Sequence, residues 1–125
     1  MSTRSSIAFK SKDGKFLTCY CHCDGYPGHV GKLVTSHYNT KEKMLELLSY
    51  GSIMALASTI KESDFFARDH EESLEQNKPQ YIRNVEDLLR FYNFVDYVYI
   101  LDENSKMVTT YKAIWDFCEP IWKEI

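Results

Sequence analysis

The stretch SIAFKSKDGKFLTCYCHC, residues 6–23, decides the fold of this chain. Apolar and polar side chains alternate on both sides of Asp13-Gly14, a pair that tolerates the positive φ of a tight turn. The stretch therefore predicts a β-hairpin with strands at Ser6–Lys10 and Phe16–Cys23. Asp24 to Gly28 then form a tight connection.

The register of this hairpin decides which side chains meet. We favour a three-residue loop at 13–15, which pairs Ile7 with Cys21 and places the apolar rows of both strands on the core face. A two-residue turn at 13–14 is the alternative. It would put Ile7 opposite Tyr20 and split the apolar row.

The favoured register gathers polar side chains on the face away from the cysteines. Arg4 then lies opposite Asp24 and Ser6 opposite His22, and the small Ser6 leaves space above the sheet. A guanidinium beside a carboxylate suits an anionic or planar ligand, and a histidine can exchange a proton near neutral pH. An ordinary polar face with one cross-strand ion pair is the alternative interpretation. The candidate ligand-binding residues are Arg4, Ser6, Tyr20, His22, Asp24, Tyr26 and His29.

The rest of the chain mixes helices and strands. Helical periodicity runs from Val30 to Tyr38, from Lys41 to Tyr50 after a capping-box-like Asn39, and from Val85 after Asn84. A second hairpin is expected at 97–111, followed by a tail of short helical turns, because Pro120 breaks a long helix. We predict an α+β fold in one domain, 1–125: a small antiparallel sheet built from two hairpins, with helices packed on one face.

Composition excludes several classes of protein. The chain has 125 residues, 44% of them hydrophobic, which is too apolar for a disordered chain. Its net charge of −3 argues against a general nucleic-acid binder. No apolar run is long enough to span a membrane, and the N-terminus lacks an apolar signal core, so we expect a cytoplasmic protein with no membrane partner.

The four cysteines at positions 19, 21, 23 and 118 are expected to be reduced. A zinc site that also uses His22 is the alternative for them. Zinc sites usually carry two Cys-x-x-Cys-like pairs, which this sequence lacks, so we predict neither a metal nor a cofactor.

Two function classes fit these residues. The first is a binding protein without catalysis, since Arg4, Tyr20 and His22 share a face and nine tyrosines suit stacking or interface contacts. The second is a small hydrolase or nuclease acting on a phosphate-containing substrate. In that case His22 and Asp24 would act as base and orienting group. We favour binding, with no catalytic residue assigned.

Four segments resemble a family of small uncharacterised bacteriophage and prophage proteins. These are the STRS motif with Ile7 at residues 2–7, the run YCHCDGYP at 20–27, His29-Val30-Gly31, and His37-Tyr38. The helix Lys41 to Tyr50, the following Gly51-Ser52 and the tyrosine-rich final hairpin are also similar, so the resemblance covers about two thirds of the chain. Its "CHxDGYP" core is the most specific part. Cys23 stands where the family usually has tryptophan.

The resemblance implies a context rather than a reaction. It implies a phage accessory protein that acts in the host cytoplasm as a counter-defence factor, in the manner of an anti-CRISPR-like inhibitor. Such a protein would inhibit a host defence protein or sequester a small nucleotide-like signal. A homo-oligomer is compatible with either role.

Overall fold

A single mixed β-sheet forms the centre of the computed structural model, which describes residues 3–125. Ser2 of the STRS motif lies outside these described residues. The strands are β1 Ser5–Lys10, β2 Phe16–Cys21, β3 Ile53–Ala55, β4 Asp64–Phe65, β5 Gln80–Ile82, β6 Tyr97–Asp102, β7 Val108–Asp116 and β8 Glu119–Glu124.

The strand order is β4-β3-β2-β1-β6-β7-β8, and β5 also pairs with β2. The α+β class and both predicted hairpins are confirmed, whereas a purely antiparallel sheet is wrong. The two hairpins join because β1 pairs in parallel with β6. The long segment between β2 and β6 contains several helices, and such a crossover can return the chain to the end of the sheet where β1 begins.

The first hairpin has a register two residues away from the favoured one. Ile7 lies opposite Cys19 and not Cys21, and the three-residue loop is 12–14. Gly14 takes the last loop position with φ +85°, and the Asp13 carboxylate accepts a hydrogen bond from the Lys15 N–H. An even shift keeps every side chain on its predicted face, so the apolar rows still share a core.

Helices cover both faces of the sheet, which corrects the prediction of a single covered face. Cys19 and Ile7 face a core that includes Val34 and Leu47, whereas Ala8 faces a second core that includes Leu88. The helices are a π-helical turn Pro27–Gly31, α1 Lys32–His37, α2 Lys41–Ser49, α3 Phe66–His70, α4 Leu74–Asn77 and α5 Val85–Phe91.

We call the side of the sheet covered by α1 and α2 the front face, and the side covered by α5 the back face. Thr40 caps α2 by accepting a hydrogen bond from the Lys43 N–H, so the cap lies one residue after the predicted Asn39. Asn84 caps α5 as predicted. None of the helices within residues 3–125 is long and apolar enough to cross a membrane.

The tail is a strand and not a set of helical turns. β8 pairs with β7 along its whole length, with Ile114 opposite Ile121. Pro120 is accommodated because β8 is the last strand of the sheet, where a missing N–H can face outward. The pairing of β6 with β7 ends at Lys112, and the Ala113 N–H makes one further bond to the Asp96 carbonyl. Residues 113–122 continue from there as a hairpin arm; at its base Ala113 is buried and Trp122, opposite it, packs against the second core.

Candidate functional site

The YCHCDGYP motif lies at one end of the sheet, which we call the motif end. β2 ends at this end with Cys21, and β1 and β6 both begin there because they run parallel. The hairpin arm projects from the same end. Strand direction therefore brings the motif, Arg4 and the arm together.

Arg4, Tyr20 and His22 form a polar cluster on the back face at the motif end. The Tyr20 hydroxyl and His22 Nδ1 form a hydrogen bond of 2.7 Å, and their rings lie 5.8 Å apart. Burial raises the pKa of Tyr20, and the neighbouring Arg4 guanidinium offsets part of this rise. Arg4 itself is exposed and Tyr20 and His22 are half-buried, so all three can contact a ligand.

Two phenylalanines extend this cluster. The ring of Phe94 lies 5.6 Å from the ring of Tyr20, and Phe66 meets the ring of His22 edge-on at 6.0 Å. Phe94 is 45% exposed. Arg4, Tyr20, His22, Phe66 and Phe94 are called the motif cluster from here on. The arrangement suits stacking and hydrogen bonding to a planar group.

Ser6 and Asp24 do not join the motif cluster. Ser6 is fully buried, so the space that its small side chain was predicted to leave open is filled and its hydroxyl cannot contact a ligand at the surface. Asp24 is exposed with φ +53°, and none of the ion pairs among the described residues joins it to Arg4. His22 therefore has Tyr20, and not Asp24, as its hydrogen-bonding partner.

Tyr26 and His29 lie with the π-helical turn, which packs on the front face. His29 Nε2 donates to the Leu56 carbonyl at 2.9 Å, and its ring lies 6.3 Å from the ring of Tyr26. The seven predicted residues thus separate into the back-face trio Arg4, Tyr20 and His22, the buried Ser6, the exposed Asp24, and this front-face pair.

Gly25 allows the chain to turn tightly between the back-face trio and the front-face pair. A Cβ atom there would come within 2.7 Å of the Ser5 side chain and 2.9 Å of the Thr3 carbonyl oxygen. The Gly25 carbonyl accepts a 2.6 Å hydrogen bond from the buried Tyr99 hydroxyl. The glycine of the motif therefore has a packing role, and the tyrosine that secures it comes from β6.

Asp96 and the hairpin arm were missed as parts of this end of the molecule. The Asp96 carboxylate accepts hydrogen bonds from the Trp115 indole at 3.0 Å and from the Arg4 backbone N–H at 3.3 Å. The sequence carries a signal for the arm: Tyr111, Ala113 and Trp115 recur at every second position. This period indicates a longer strand than the one predicted.

The cysteines lie in different environments. Cys19 and Cys21 are buried on the front face, and burial raises the pKa of the Cys21 thiol to about 12. Cys118 is exposed in the hairpin arm. Among residues 3–125, no three histidine, cysteine or acidic side chains are grouped so that they could hold a metal ion.

The motif cluster is partly exposed at the motif end, with Arg4 and Phe94 at the surface. A cavity of about 370 Å³ lies at the opposite end of the sheet, lined by residues that include Lys12, Lys41 and Glu103. Small-molecule sites are usually enclosed, whereas open surfaces with aromatic side chains are typical of protein interfaces. Comparison of the chain with known protein families, with curated proteins and with solved structures finds no match.

Proposed function

We propose that this chain is a phage-encoded accessory protein that binds a host defence protein in the host cytoplasm and inhibits it without catalysis. The observation that supports binding is the exposed apolar surface of the hairpin arm and its continuation. Eleven large apolar side chains of the described residues are exposed, and five of them lie within residues 114–125. Such a concentration is typical of an interaction surface.

Phe117 is the central residue of the proposed contact. Its side chain is 98% exposed at the tip of the arm, and its φ of +57° lies in the left-handed region. That conformation costs a residue with a Cβ atom about 1–2 kcal/mol, and burial of the ring does not offset the cost. Strain held at an exposed aromatic residue supports a role in binding.

The neighbours of Phe117 define the partner surface. Trp115 is 41% exposed, and Asp116 and Glu119 are exposed on either side of the tip. An apolar pocket with basic groups at its rim would complement this arrangement. Because the sequence resemblance implies a phage origin, we expect this pocket to lie on a host protein.

The test compares three immobilised forms of the protein in a bacterial lysate: the unchanged chain, Phe117→Ser, and Tyr81→Ser. Tyr81 is 83% exposed on β5 and lies outside the arm, so its replacement is a matched control. We expect one polypeptide to bind the unchanged chain and Tyr81→Ser but not Phe117→Ser.

The captured polypeptide is then purified and titrated with each form. Loss of a central aromatic contact should weaken binding by about 30-fold or more, and the unchanged chain should inhibit the activity of the captured protein. Equal affinity for Phe117→Ser, or binding without inhibition, would contradict the proposal.

A second candidate function is sequestration of a small nucleotide-like ligand by the motif cluster. The supporting observation is the Arg4 cation beside the Tyr20–His22 hydrogen bond, with two phenylalanine rings next to it. Native mass spectrometry of the protein purified from cells tests this candidate. A bound small mass that is lost in both Arg4→Ala and Tyr20→Ala supports it, and a bare chain in every preparation argues against it.

A further inference from the structure

The outer edge of β8 is an unpaired sheet edge. β8 is the last strand of the described sheet and bonds only to β7. The hydrogen bond from the Ile125 N–H to the Thr110 carbonyl shows which residues face β7. Because the direction alternates along a strand, Glu119, Ile121 and Lys123 also bond to β7. The N–H and C=O groups of Trp122 and Glu124, and the C=O of Pro120, therefore point outward.

The front face of β8, and of β7 around Ile114, is also uncovered. Helices α1 and α2 pack over β1, β2 and β6, whereas Ile114 and Ile121, directly opposite each other, are 47% and 58% exposed. An open edge and an uncovered apolar row on the same strand pair form a surface that another strand could extend.

The charges on this face lie opposite like charges. Lys112 is opposite Lys123, and Asp116 is opposite Glu119. Like charges directly opposite each other destabilise a strand pair. A strand that brought a carboxylate beside Lys123 and an ammonium beside Glu119 would relieve both pairs, and β8 itself carries both groups in the required order.

We propose that two copies of this chain pair through their β8 strands, antiparallel, about a two-fold axis at Ile121. Ile121 then lies opposite Ile121 of the second copy, and Glu119 lies opposite Lys123 of the second copy, twice. On the back face, Pro120 lies opposite Trp122 of the second copy. The row Ile114–Ile121 continues into its symmetry mate, giving four isoleucines across the interface.

Neighbouring registers are less favourable. An axis at Lys123 places two lysines opposite each other, and an axis at Trp122 places Ile121 opposite Lys123 of the second copy. In the proposed register, each Trp122 N–H donates to the Pro120 carbonyl of the second copy. Pro120 has no N–H to return, so the pairing uses few backbone bonds. The interface is small, and we expect a dissociation constant in the micromolar range.

Disulfide trapping tests both the dimer and its register, in a Cys118→Ser background that removes the exposed thiol. Ile121 and Ile121 of the second copy form a non-hydrogen-bonded antiparallel pair, because both bond to their own β7. Such directly opposite residues have Cα atoms about 4.5 Å apart, within disulfide range. Ile121→Cys should therefore form a covalent dimer under mild oxidation. Lys123→Cys should not form a covalent dimer, because position 123 of one copy and position 123 of the other lie four residues apart along the paired strands, about 13 Å.

Sedimentation equilibrium of the full chain provides a second measurement. Lys123→Glu should weaken self-association by about tenfold or more, and adding Glu119→Lys should restore it. A monomer at all concentrations up to the millimolar range would overturn the proposal, as would cross-linking through Lys123→Cys but not Ile121→Cys. The dimer covers Ile121 but leaves the two Phe117 tips exposed at opposite ends of the paired strands, so its failure leaves the proposed host contact at Phe117 untouched.

Discussion

The indole N–H of Trp115 donates a 3.0 Å hydrogen bond to the carboxylate of Asp96, which lies just before β6. The other carboxylate oxygen accepts from the backbone N–H of Arg4. Asp96 thus connects the hairpin arm to the start of β1. It is the only described side chain that we find hydrogen-bonded to both the arm and the residues before β1.

This connection predicts that the arm loosens when the bond is removed. Trp115→Phe keeps the ring and loses the donor, so it should lower the free energy of unfolding by about 0.5–1.5 kcal/mol. Asp96→Ala loses both bonds and should cost more. Urea unfolding measures the stability, and hydrogen exchange across residues 113–122 measures the arm. Exchange that matches the unchanged chain in both variants would show that the arm is held by strand pairing alone.

The faces of the first hairpin were predictable from sequence, but its pairs were not. The alternation of apolar and polar residues decides which side chains share a face, and a two-residue shift in register does not change those faces. The pairs depend on where Gly14 stands in its loop, which the pattern of the strands does not encode. The Arg4–Asp24 pair was predicted from the favoured register, so the change of register removes it.

Long-range packing explains the other differences. The small Ser6 indicated an open face, but small residues also allow other elements to approach closely. Ala8, on the same face, packs in one core with Leu88 of α5, about 80 residues later in the chain. Pro120 indicated an interrupted helix. It is equally compatible with an edge strand, and only the strand order shows that β8 is at the edge.

Phe117→Gly should stabilise the protein while weakening its contact with a partner. Glycine adopts a φ of +57° without a Cβ clash, and removal of that strain outweighs the added entropy of the unfolded chain. We expect the free energy of unfolding to rise by about 0.5–1 kcal/mol. Tyr81→Gly, in a strand where φ is negative, should lower it. A decrease for Phe117→Gly would mean that the ring stabilises the fold.

Gly25→Ala should destabilise the motif end. The added Cβ atom would come within 2.7 Å of Ser5, which is itself fully buried and cannot move aside. Overpacking of this kind costs about 1–3 kcal/mol. Gly28→Ala is the matched control, because its Cβ atom would meet only the Tyr26 ring at 3.6 Å. Thermal unfolding of both variants checks the prediction, and equal melting temperatures would refute the close approach.

Alkaline pH should unfold the protein through its buried thiols and phenols. Burial raises the pKa of Cys21 to about 12 and also raises the pKa values of Cys19, Tyr92 and Tyr99. The folded protein keeps these groups protonated, whereas the unfolded chain ionises its cysteines and tyrosines from about pH 9–10. Ionisation therefore favours the unfolded state, and stability should be unaffected near pH 7 and fall progressively above pH 9.

Urea unfolding at pH 7, 9 and 10.5 under reducing conditions measures this fall. Tyr92→Phe removes one of the groups while it keeps the ring that packs against Leu88 on the back face. The variant loses the 3.3 Å hydrogen bond between Tyr92 and Thr18, so it should be less stable at pH 7. Its stability should nevertheless decline less steeply above pH 10, because one fewer proton is released on unfolding. Parallel declines for the two proteins would show that the Tyr92 phenol does not contribute to alkaline unfolding.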